Sequence, residues 1–438
     1  MNGMSFDADL EHALSLAWYA QRKPVYTGGN RVRLLRGATE LYREQIEAIR
    51  AARRSVWMAT YLVARGGVSE LVFDALIQAA ARGVAVHLVV DGVGSRDVSA
   101  ALWTWLRDQG VEVVVYRPVG PLLSLLSNPA HWRRMHVKLC VVDDTLAFTG
   151  GINLIDDHFD VHHGWSPQPR LDYAVRFEGP AVVPALHTVK ALWTRASIGR
   201  DWRDDLSEWV RDPQRMRRLR EVWQEARMRL TPSEQAHMAH RTGDRSPVRA
   251  AFVLRDNLRQ RRTIERATLQ AITHARVRVD IVTPYFYPGR ALRRALRLAA
   301  ARGVKVRLLL QGKLDYRIAG LAARVLYDEL QRHGVRIFEY QPAFLHAKVV
   351  CIDDEWASVG SSNLDPLSLL LNLEGNLVVR DRPFARALSG ALAQDFAQSR
   401  EIAPALWVQP TWAARLRRGF VAWLAKTYLR LAGIVRRY

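Results

Sequence analysis

The sequence MHVKLCVVD, residues Met135–Asp143, returns 210 residues later as LHAKVVCID, residues Leu345–Asp353. Both stretches read His-x-Lys-x4-Asp, and the residues between Lys and Asp are all apolar. An apolar run of this length indicates a buried strand. Because side chains alternate along a strand, the His and the Lys of each copy point to the same face. Each copy therefore predicts a strand that presents one imidazole and one ammonium to the same pocket.

The repeat extends well beyond this motif. The hexapeptide AAARGV occurs at Ala79–Val84 and again, letter for letter, at Ala299–Val304. Each copy ends an amphipathic helical pattern, so Gly83 and Gly303 are predicted helix C-caps. Strand patterns follow, at Val84–Asp91 and Val111–Tyr116 in the first half and at Val304–Gln311 and Val335–Tyr340 in the second. Strands that alternate with helices predict two α/β/α halves related by internal duplication, each with a largely parallel sheet.

Composition limits the class of protein. The chain has 438 residues, 49% of them hydrophobic, which excludes a disordered or fibrous protein. Its 64 Lys and Arg outnumber 43 Asp and Glu, and the net charge of +21 predicts an anionic partner, either nucleic acid or a membrane. Two cysteines exclude a disulfide framework and a Cys-rich zinc site. No run of about 18 apolar residues occurs, so no membrane-spanning helix is predicted.

The predicted domain limits follow the repeat. The first half spans 1–200 and the second half 251–400, with a linker or insertion at 201–250 and a tail at 401–438. The linker, from Asp201 to Arg249, is rich in Arg and Glu and has no counterpart in the repeat. It is predicted to be a connecting segment or a surface insertion.

The tail has its own pattern. Thr411–Tyr438 contains seven Lys and Arg and no acidic residue. On a helix, Trp412, Phe420 and Trp423 fall on an apolar side and most of the basic residues fall on the other. A basic amphipathic helix with Trp on its apolar side is typical of an in-plane membrane binder. The alternative is a helix that packs its apolar side on the catalytic body.

The two motifs together supply the groups that a phosphodiester needs. Each motif is followed by a glycine turn with asparagine, GGIN at Gly150–Asn153 and GSSN at Gly360–Asn363. If a pseudo-twofold axis brings the copies together, Lys138 and Lys348 neutralise phosphate oxygens and the two asparagines donate hydrogen bonds. One histidine then attacks phosphorus and the other protonates the leaving oxygen. This chemistry requires neither a metal nor another cofactor.

Paired motifs of this kind in a duplicated α/β chain resemble the phospholipase D superfamily. The resemblance covers Gly28 to Asp381 and implies one active site at the interface of two packed halves. It implies that His136 is the nucleophile, through a phosphohistidine intermediate, and that His346 is the general acid and then base. It also implies that Lys138 and Lys348 bind the phosphate.

The resemblance assigns supporting roles as well. Six motif residues form the catalytic set: His136, Lys138, Asp143, His346, Lys348 and Asp353. Within this set, Asp143 and Asp353 are expected to support the fold near the site. The superfamily pairs each catalytic histidine with an acid of the opposite half, which implies that Glu374 orients His136 and Asp172 orients His346.

One segment breaks the symmetry of the repeat. Asp172 lies 22 residues past Gly150, whereas Glu374 lies 14 past Gly360. The first half therefore carries extra residues, Asp157–Pro169, which include His158, His162 and His163. A histidine cluster is one feature of metal sites, but a polar loop at the rim of the site is the favoured interpretation.

Two features point to a lipid substrate. An apolar loop, Val119–Ser127, precedes the first motif and suits acyl chains better than a polynucleotide. The turn Gly150–Asn153 and the phrase LDYAVRFEGP at Leu171–Pro180 resemble bacterial cardiolipin synthases that lack N-terminal transmembrane helices. That resemblance implies phosphatidyl transfer between two phosphatidylglycerol molecules, which gives cardiolipin and glycerol. It also implies a peripheral protein on the cytoplasmic face of the bacterial inner membrane, with anionic phospholipid as partner and no obligate nucleic acid.

Three alternatives stay open at the level of the sequence. A phospholipase D-type hydrolase shares every motif and differs in admitting water to the site. A phosphodiesterase that acts on nucleic acid would use the many arginines along a phosphate backbone, although the sequence has no evident aromatic platform for bases. A non-enzymatic membrane scaffold is disfavoured because both motifs are intact.

Overall fold

The structure is a computed structural model that describes residues 22–118, 133–160, 164–197, 248–256, 260–313, 326–364 and 372–403. The first half consists of β1 (Thr27–Arg36), α1 (Gly37–Ala51), β2 (Ser55–Thr60), α2 (Val68–Ala81), β3 (Ala85–Asp91), α3 (Ala100–Asp108), β4 (Glu112–Tyr116), β5 (Leu139–Val142), β6 (Leu146–Gly150), β7 (Phe159–Asp160), β8 (Gly164–Trp165), β9 (Tyr173–Glu178) and α4 (Val182–Ser197). The second half consists of β10 (Val248–Arg255), α5 (Thr263–His274), β11 (Arg278–Val282), α6 (Arg290–Ala301), β12 (Lys305–Gln311), β13 (Arg336–Tyr340), β14 (Val349–Ile352), β15 (Trp356–Gly360), β16 (Glu374–Arg380), α7 (Arg382–Ala397) and β17 (Ser399–Glu401).

The internal duplication is visible in the strand order. The first half is ordered β4-β3-β2-β5-β6-β9-β1, and the second half repeats this order as β13-β12-β11-β14-β15-β16-β10 with β17 added at its edge. The two first strands, β1 and β10, pair antiparallel and join the halves into one hydrogen-bonded sheet. The predicted arrangement of two α/β halves from an internal duplication is confirmed.

The expectation of a largely parallel sheet is wrong. Among the described strands, the parallel pairs are β2–β3 and β3–β4 in the first half and β11–β12 and β12–β13 in the second. The later strands pair antiparallel, because turns of three residues join β5 to β6 and β14 to β15. Parallel neighbours need a long crossover connection, and only the early strands of each half are linked through helices.

The halves share a core. Inward side chains of both halves, among them Val137 and Phe177 of the first and Phe252 and Leu377 of the second, form one buried apolar layer. The helices α4 and α7 contribute to the same layer. Alternate residues of the same strands face outward into a second core under α1 and α2 or a third under α5 and α6. The strands are therefore buried on both faces, which explains their nearly continuous apolar sequence.

The repeated hexapeptide forms the same helix end twice. Gly83 donates to the Ala80 carbonyl at 2.8 Å and Val84 donates to Ala79 at 3.2 Å, which is a Schellman motif. The same bonds occur at Gly303 and Val304 of the second half. The C-cap glycines have φ of 85° and 88°, where a side chain would be strained. The predicted C-caps are confirmed.

Several predictions fall outside the described residues: the apolar loop Val119–Ser127, residues 201–247 of the linker, and the basic tail Thr411–Tyr438. Their predicted roles, and the domain limits that depend on them, stay predictions. Among the described residues, no helix has the length and apolar character needed to cross a bilayer.

Candidate active site

Backbone hydrogen bonds between the halves bring the first motif to an acid of the second half. Met135 forms a parallel bridge with Leu373, where the His136 N–H donates to the Leu373 carbonyl at 3.0 Å. The Leu373 N–H in turn donates to the Arg134 carbonyl at 2.8 Å. Glu374 follows Leu373 directly, so this pairing places its carboxylate beside the imidazole of His136.

The second motif is held in the same way by the first half. Leu171 forms a parallel bridge with Leu345, and the Leu171 N–H donates to the Phe344 carbonyl at 2.9 Å. The His346 N–H donates to the Leu171 carbonyl at 2.8 Å. Asp172 follows Leu171, so each half supplies the acid that contacts the histidine of the other.

Two buried histidine–carboxylate pairs result. Nδ1 of His136 lies 3.0 Å from Oε2 of Glu374, and Nδ1 of His346 lies 2.6 Å from Oδ2 of Asp172. Burial alone would raise the pKa of each acid, but the adjacent histidine outweighs burial and lowers the pKa of both Glu374 and Asp172. Both carboxylates are therefore ionised, and each accepts the Nδ1–H of a histidine. Nε2 of each ring therefore keeps a free lone pair, with which it can attack an electrophile or accept a proton.

In the absence of a bound anion, burial favours the neutral form of both histidines. Burial lowers the pKa of His136 against the opposing charge of Glu374. Burial, and also the ammonium of Lys348, lowers the pKa of His346 well below its ordinary value. The environment of His346 is the more acidifying of the two, so its imidazolium would be the stronger acid and His136 the stronger base.

The two motif lysines are buried beside the histidines. Nζ of Lys138 donates to the His136 carbonyl at 2.8 Å, and Nζ of Lys348 donates to the His346 carbonyl. Burial, and then the charge of Lys348, lowers the pKa of Lys138 to about 7. Two ammonium groups that destabilise one another in a buried site favour a bound anion between them. The structure thus brings together the His and Lys of both motifs, with Glu374 and Asp172.

The surroundings of the two pairs differ. The Ser361 hydroxyl donates to Oε2 of Glu374 at 2.5 Å, while the equivalent position of the first half is Gly151. A Cβ on Gly151 would collide with the carboxylate of Asp172, so that position has no room for a side chain. The ring of Tyr61 packs 4.9 Å from His136, with Nζ of Lys138 5.2 Å from its centre.

The asparagines lie next to the site. Asn153 accepts a hydrogen bond from the Leu62 N–H at 3.3 Å through its Oδ1. Among the described residues, no acceptor lies within hydrogen-bond distance of its Nδ2, and Oδ1 of the buried Asn363 also has no partner. Their predicted role as donors to the phosphate stays a prediction. The Nδ2 of Asn153 is compatible with it, whereas Oδ1 of Asn363 is an acceptor and gives it no support.

The motif aspartates lie at the other end of their strands. Asp143 is about 16 Å from Lys138 by the rise of an extended strand, and its carboxylate accepts the N–H groups of Arg53, Arg54 and Ser55 at 2.8–3.2 Å. Asp353 accepts three equivalent N–H groups in the second half at 2.7–2.8 Å. These contacts support the expected structural role and give neither carboxylate a contact with the histidines.

The extra segment of the first half forms a short hairpin, β7–β8. Its base is tied down by Asp157, which accepts the Ala38 N–H at the start of α1, and by Arg170, which lies 3.0 Å from Asp160. His158 contacts the Ser166 carbonyl through Nδ1 at 3.0 Å. His162 and His163 lie outside the described residues, and no group of three potential metal ligands occurs among the described ones. The rim-loop interpretation stays a prediction.

Ser361, Tyr61 and Arg170 are neighbours of the site that the sequence argument did not identify. A comparison of GGIN with GSSN was the available signal for Ser361, because aligned repeats that differ beside a histidine-bound acid indicate a local asymmetry. No comparable signal marks Tyr61 or Arg170.

Comparisons with known proteins identify the family of the chain. Residues 45–164 and 268–398 match the family model described as cardiolipin synthase, PLD-like domain. Cardiolipin synthase B of Salmonella typhimurium strain LT2 is 39% identical over 360 residues, which are 82% of this chain and 79% of that protein. Cardiolipin synthase B of Escherichia coli K12 is 36% identical over 374 residues, which are 84% and 82% of the two chains.

A solved structure has the same fold. Phosphatidylserine synthase of Haemophilus influenzae Rd KW20 superposes with a TM-score of 0.59 at 14% identity, over 92% of this chain and 93% of that chain. The family match covers both halves of the repeat, and the identity to the curated relatives extends over most of the chain. The chain therefore belongs to the cardiolipin synthase family of the phospholipase D superfamily, a family of phosphatidyltransferases.

Proposed function

We propose that this protein is a cardiolipin synthase that transfers a phosphatidyl group from one phosphatidylglycerol to another through a phosphohistidine. The observation that carries the proposal is the pair of buried histidine–carboxylate contacts with a lysine beside each. The names of the relatives, cardiolipin synthase B, support this choice of product. The working surface is an anionic phospholipid bilayer, and the cytoplasmic face of the inner membrane stays a prediction.

In the first step, Nε2 of His136 attacks the phosphorus of the donor. The P–N bond forms while the P–O bond to the glycerol headgroup breaks. His346, whose protonated form is favoured once the phosphodiester anion is bound beside it, gives its proton to the leaving oxygen. Glycerol leaves, and the phosphatidyl group stays on His136. Glu374 stabilises the positive charge that develops on the ring, and Lys138 and Lys348 hold the phosphoryl oxygens.

In the second step, a hydroxyl of another phosphatidylglycerol enters where glycerol left. Neutral His346 takes the hydroxyl proton, the oxygen attacks phosphorus, and the P–N bond breaks to give cardiolipin. His346 is again protonated, so the cycle closes without an external proton. The stronger acidity of the His346 imidazolium supports its role as acid, and the greater basicity of His136 supports its role as nucleophile.

Product analysis tests the reaction. Purified protein is incubated with phosphatidylglycerol vesicles in the presence of a chelator, and lipids and free glycerol are quantified. Equal amounts of cardiolipin and glycerol are expected. Phosphatidic acid as the sole lipid product would contradict transfer and identify a hydrolase, whereas cleavage of single-stranded DNA without lipid turnover would make the protein a nucleic-acid phosphodiesterase.

Trapping the intermediate tests the two roles. With phosphate-labelled donor, His136→Ala should give no labelled protein, while His346→Ala should form the adduct roughly 10²–10⁴-fold more slowly and fail to release it. His274→Ala, at an exposed histidine on α5, is the control and should behave like the parent protein. Equal labelling of the two active-site variants would overturn the assignment.

A further inference from the structure

Two helices of the second half begin at the end of the sheet that carries the active site. Arg255, the last residue of β10, is in register with Glu374, and α5 starts shortly after it. Val282, the last residue of β11, is in register with Val349, which follows Lys348. The segment after β11 leads into α6. The first turns of both helices therefore lie at the catalytic end of the molecule, and the helices pack side by side.

Exposed arginines crowd this end. The N-terminal arginine cluster consists of Arg261, Arg262, Arg266, Arg290 and Arg294, and every member is exposed. Within the described part of the chain, no acidic side chain lies within 4.0 Å of the guanidinium groups of Arg266, Arg290 and Arg294, while Arg262 lies 3.8 Å from Glu265. Arg266, Arg290 and Arg294 therefore carry three positive charges that no acidic side chain in the described part of the protein balances at close range.

The arginines are in an unfavourable place for helix stability. The N-terminus of a helix carries a partial positive charge and favours acidic residues. The first turn of α6 contains no acidic residue and begins with Arg290. Local helix stability therefore does not account for the choice of arginine there.

The duplication supplies an internal control for this argument. At an offset of 220 residues, Arg290 and Arg294 of α6 correspond to Glu70 and Asp74 of α2, which are equally exposed. The same fold position therefore accepts either sign of charge. The first two turns of α1 and the first turns of α2, at the corresponding end of the first half, carry Glu40, Arg43, Glu70 and Asp74, so these helices do not form an equivalent cationic cluster.

We propose that the N-terminal arginine cluster binds the anionic headgroups of a phospholipid bilayer and so presents the catalytic end to the membrane. Guanidinium groups pair with phosphate through two hydrogen bonds, and each basic residue near an anionic surface adds about fivefold to the affinity. The proposal deepens the proposed function, because it names the surface by which the active site meets its lipid substrate. The net charge of the whole chain, +21, also favours binding to an anionic membrane.

Vesicle binding tests the surface. The triple change Arg266→Gln, Arg290→Gln and Arg294→Gln is introduced into the full chain with His136→Ala, so that lipids are not consumed. Binding is measured by co-sedimentation with phosphatidylcholine vesicles that contain increasing phosphatidylglycerol. We expect at least about tenfold weaker binding at 0.1 M salt, and no difference on phosphatidylcholine alone.

A matched variant controls for total charge. Arg50→Gln, Arg53→Gln and Arg276→Gln remove three exposed arginines at the opposite end of the strands and should change binding less than about twofold. Equal losses in the two triple variants, or no loss in either, would overturn the proposal. Loss of single-stranded DNA binding with vesicle binding intact would overturn it as well, because the cluster would then serve nucleic acid.

A second variant guards against misfolding. Arg290→Glu with Arg294→Asp installs the residues that α2 carries at the equivalent exposed positions, so the fold should tolerate both. Its thermal midpoint should equal or exceed that of the parent, because acidic residues suit the N-terminus of α6. Its vesicle binding should fall further than expected for neutralising two charges. A parent-like affinity for anionic vesicles would contradict the proposal.

Turnover of a short-chain phosphatidylglycerol, dispersed as monomers, separates this proposal from the proposed reaction. The triple variant without His136→Ala should process this monomer at the parent rate and process vesicles more slowly. If the parent protein turned over no lipid while the cluster variants still lost vesicle binding, the proposed transfer reaction would be contradicted. The proposal that the arginine cluster binds the membrane would still be supported.

Discussion

Ser361 and Gly151 show how single residues distinguish two otherwise equivalent catalytic pairs. Oε2 of Glu374 accepts hydrogen bonds from both the His136 ring and the Ser361 hydroxyl, at 3.0 and 2.5 Å. Asp172 has a shorter side chain, lies against Gly151, and accepts from the Tyr173 N–H at 2.8 Å instead. In one half, therefore, a longer acid, Glu374, contacts a serine. In the other half a shorter acid, Asp172, lies against a glycine at the equivalent position.

Lys138 gives the first prediction at this scale, because its burial is costly. Its pKa of about 7 lies well below the value of about 10.4 in an unfolded chain. Between these values the unfolded state binds the extra proton, so the stability of the native state falls as pH decreases from about 10 to about 7. Lys138→Met should abolish lipid turnover and raise the free energy of unfolding by roughly 2–4 kcal/mol at pH 7, with little effect at pH 10.

Denaturant unfolding at the two pH values measures this effect. Lys305→Met, at an exposed lysine on β12, is the control and should show the same difference from the parent at both pH values. An effect of Lys138→Met that did not change with pH would contradict the lowered pKa.

Which site residues the sequence could identify depends on how local their signal is. The His and Lys of each motif are marked by a pattern within nine residues, and the structure brings them together. Asp172 and Glu374 lie 174 and 238 residues from their histidines along the chain, so only the resemblance to a family pointed to them. The sequence carries even less signal for Tyr61. Its contact with His136 depends on how the segment after β2 packs against the first motif.

At the scale of elements, the turns after β5 and β14 explain why each motif ends in aspartate. Asp143 and Asp144 have φ of 49° and 60°, and Asp353 and Asp354 both have φ of 53°. Aspartate tolerates this left-handed conformation better than most residues. The carboxylates of Asp143 and Asp353 then fix the segments that lead into β2 and β11.

The second prediction concerns this turn. Asp143→Ala removes the acceptor of three backbone N–H groups and should lower the free energy of unfolding by about 1–2 kcal/mol, since those groups lose a charged and partly buried partner. The rate of lipid turnover per folded molecule should stay within about threefold of the parent rate. Thermal unfolding and turnover at a temperature well below the transition measure the two effects.

Asp143→Asn is the matched control, because asparagine keeps the left-handed conformation and can still accept hydrogen bonds. It should be less destabilising than the alanine variant. A turnover rate reduced 100-fold in Asp143→Ala with unchanged stability would instead place the carboxylate in the chemistry.

Element boundaries followed from local patterns, whereas strand direction did not. The predicted strand Val111–Tyr116 is Glu112–Tyr116 in the structure, and Val335–Tyr340 is Arg336–Tyr340. Apolar runs and glycine caps are local, so they fix such limits to within a residue. The antiparallel pairing of the later strands depends on which strands become neighbours in the sheet. The repeat pattern of the sequence carries no information about strand neighbours.

At the scale of the whole molecule, a buried ionic contact joins the halves behind the active site. Asp395 of α7 accepts the Tyr173 hydroxyl at 2.5 Å and lies 2.5 Å from the Arg36 guanidinium. Tyr173 follows Asp172, and the Gly37 N–H, next to Arg36, donates to the Asp172 carbonyl at 3.0 Å. The acid that holds His346 is therefore supported on both sides by residues that contact α7 of the other half.

The third prediction follows from this contact and the shared core. Asp395→Ala leaves Tyr173 and the partly buried Arg36 without their carboxylate, and should lower the free energy of unfolding by about 3 kcal/mol. Calorimetry should show one transition for both halves, shifted as a whole, because neither half has a core of its own at the interface.

Glu401→Ala is the control for this variant. Glu401 pairs with Arg336 at an exposed edge of the sheet, and such surface pairs contribute less than about 1 kcal/mol. Two separate transitions in the parent protein, or equal shifts in the two variants, would contradict the shared core.

The exchange of acids between the halves also makes the active site indivisible at the level of the gene. A stop codon between the halves would leave His136 without Glu374 and Asp172 without His346, so on the proposed mechanism we expect a null allele and not an enzyme of half activity. Recombination that imports one half from a relative preserves function only if the new half brings its acid into register with the resident histidine. The two copies arose as repeats, yet they are inherited and selected as a single unit.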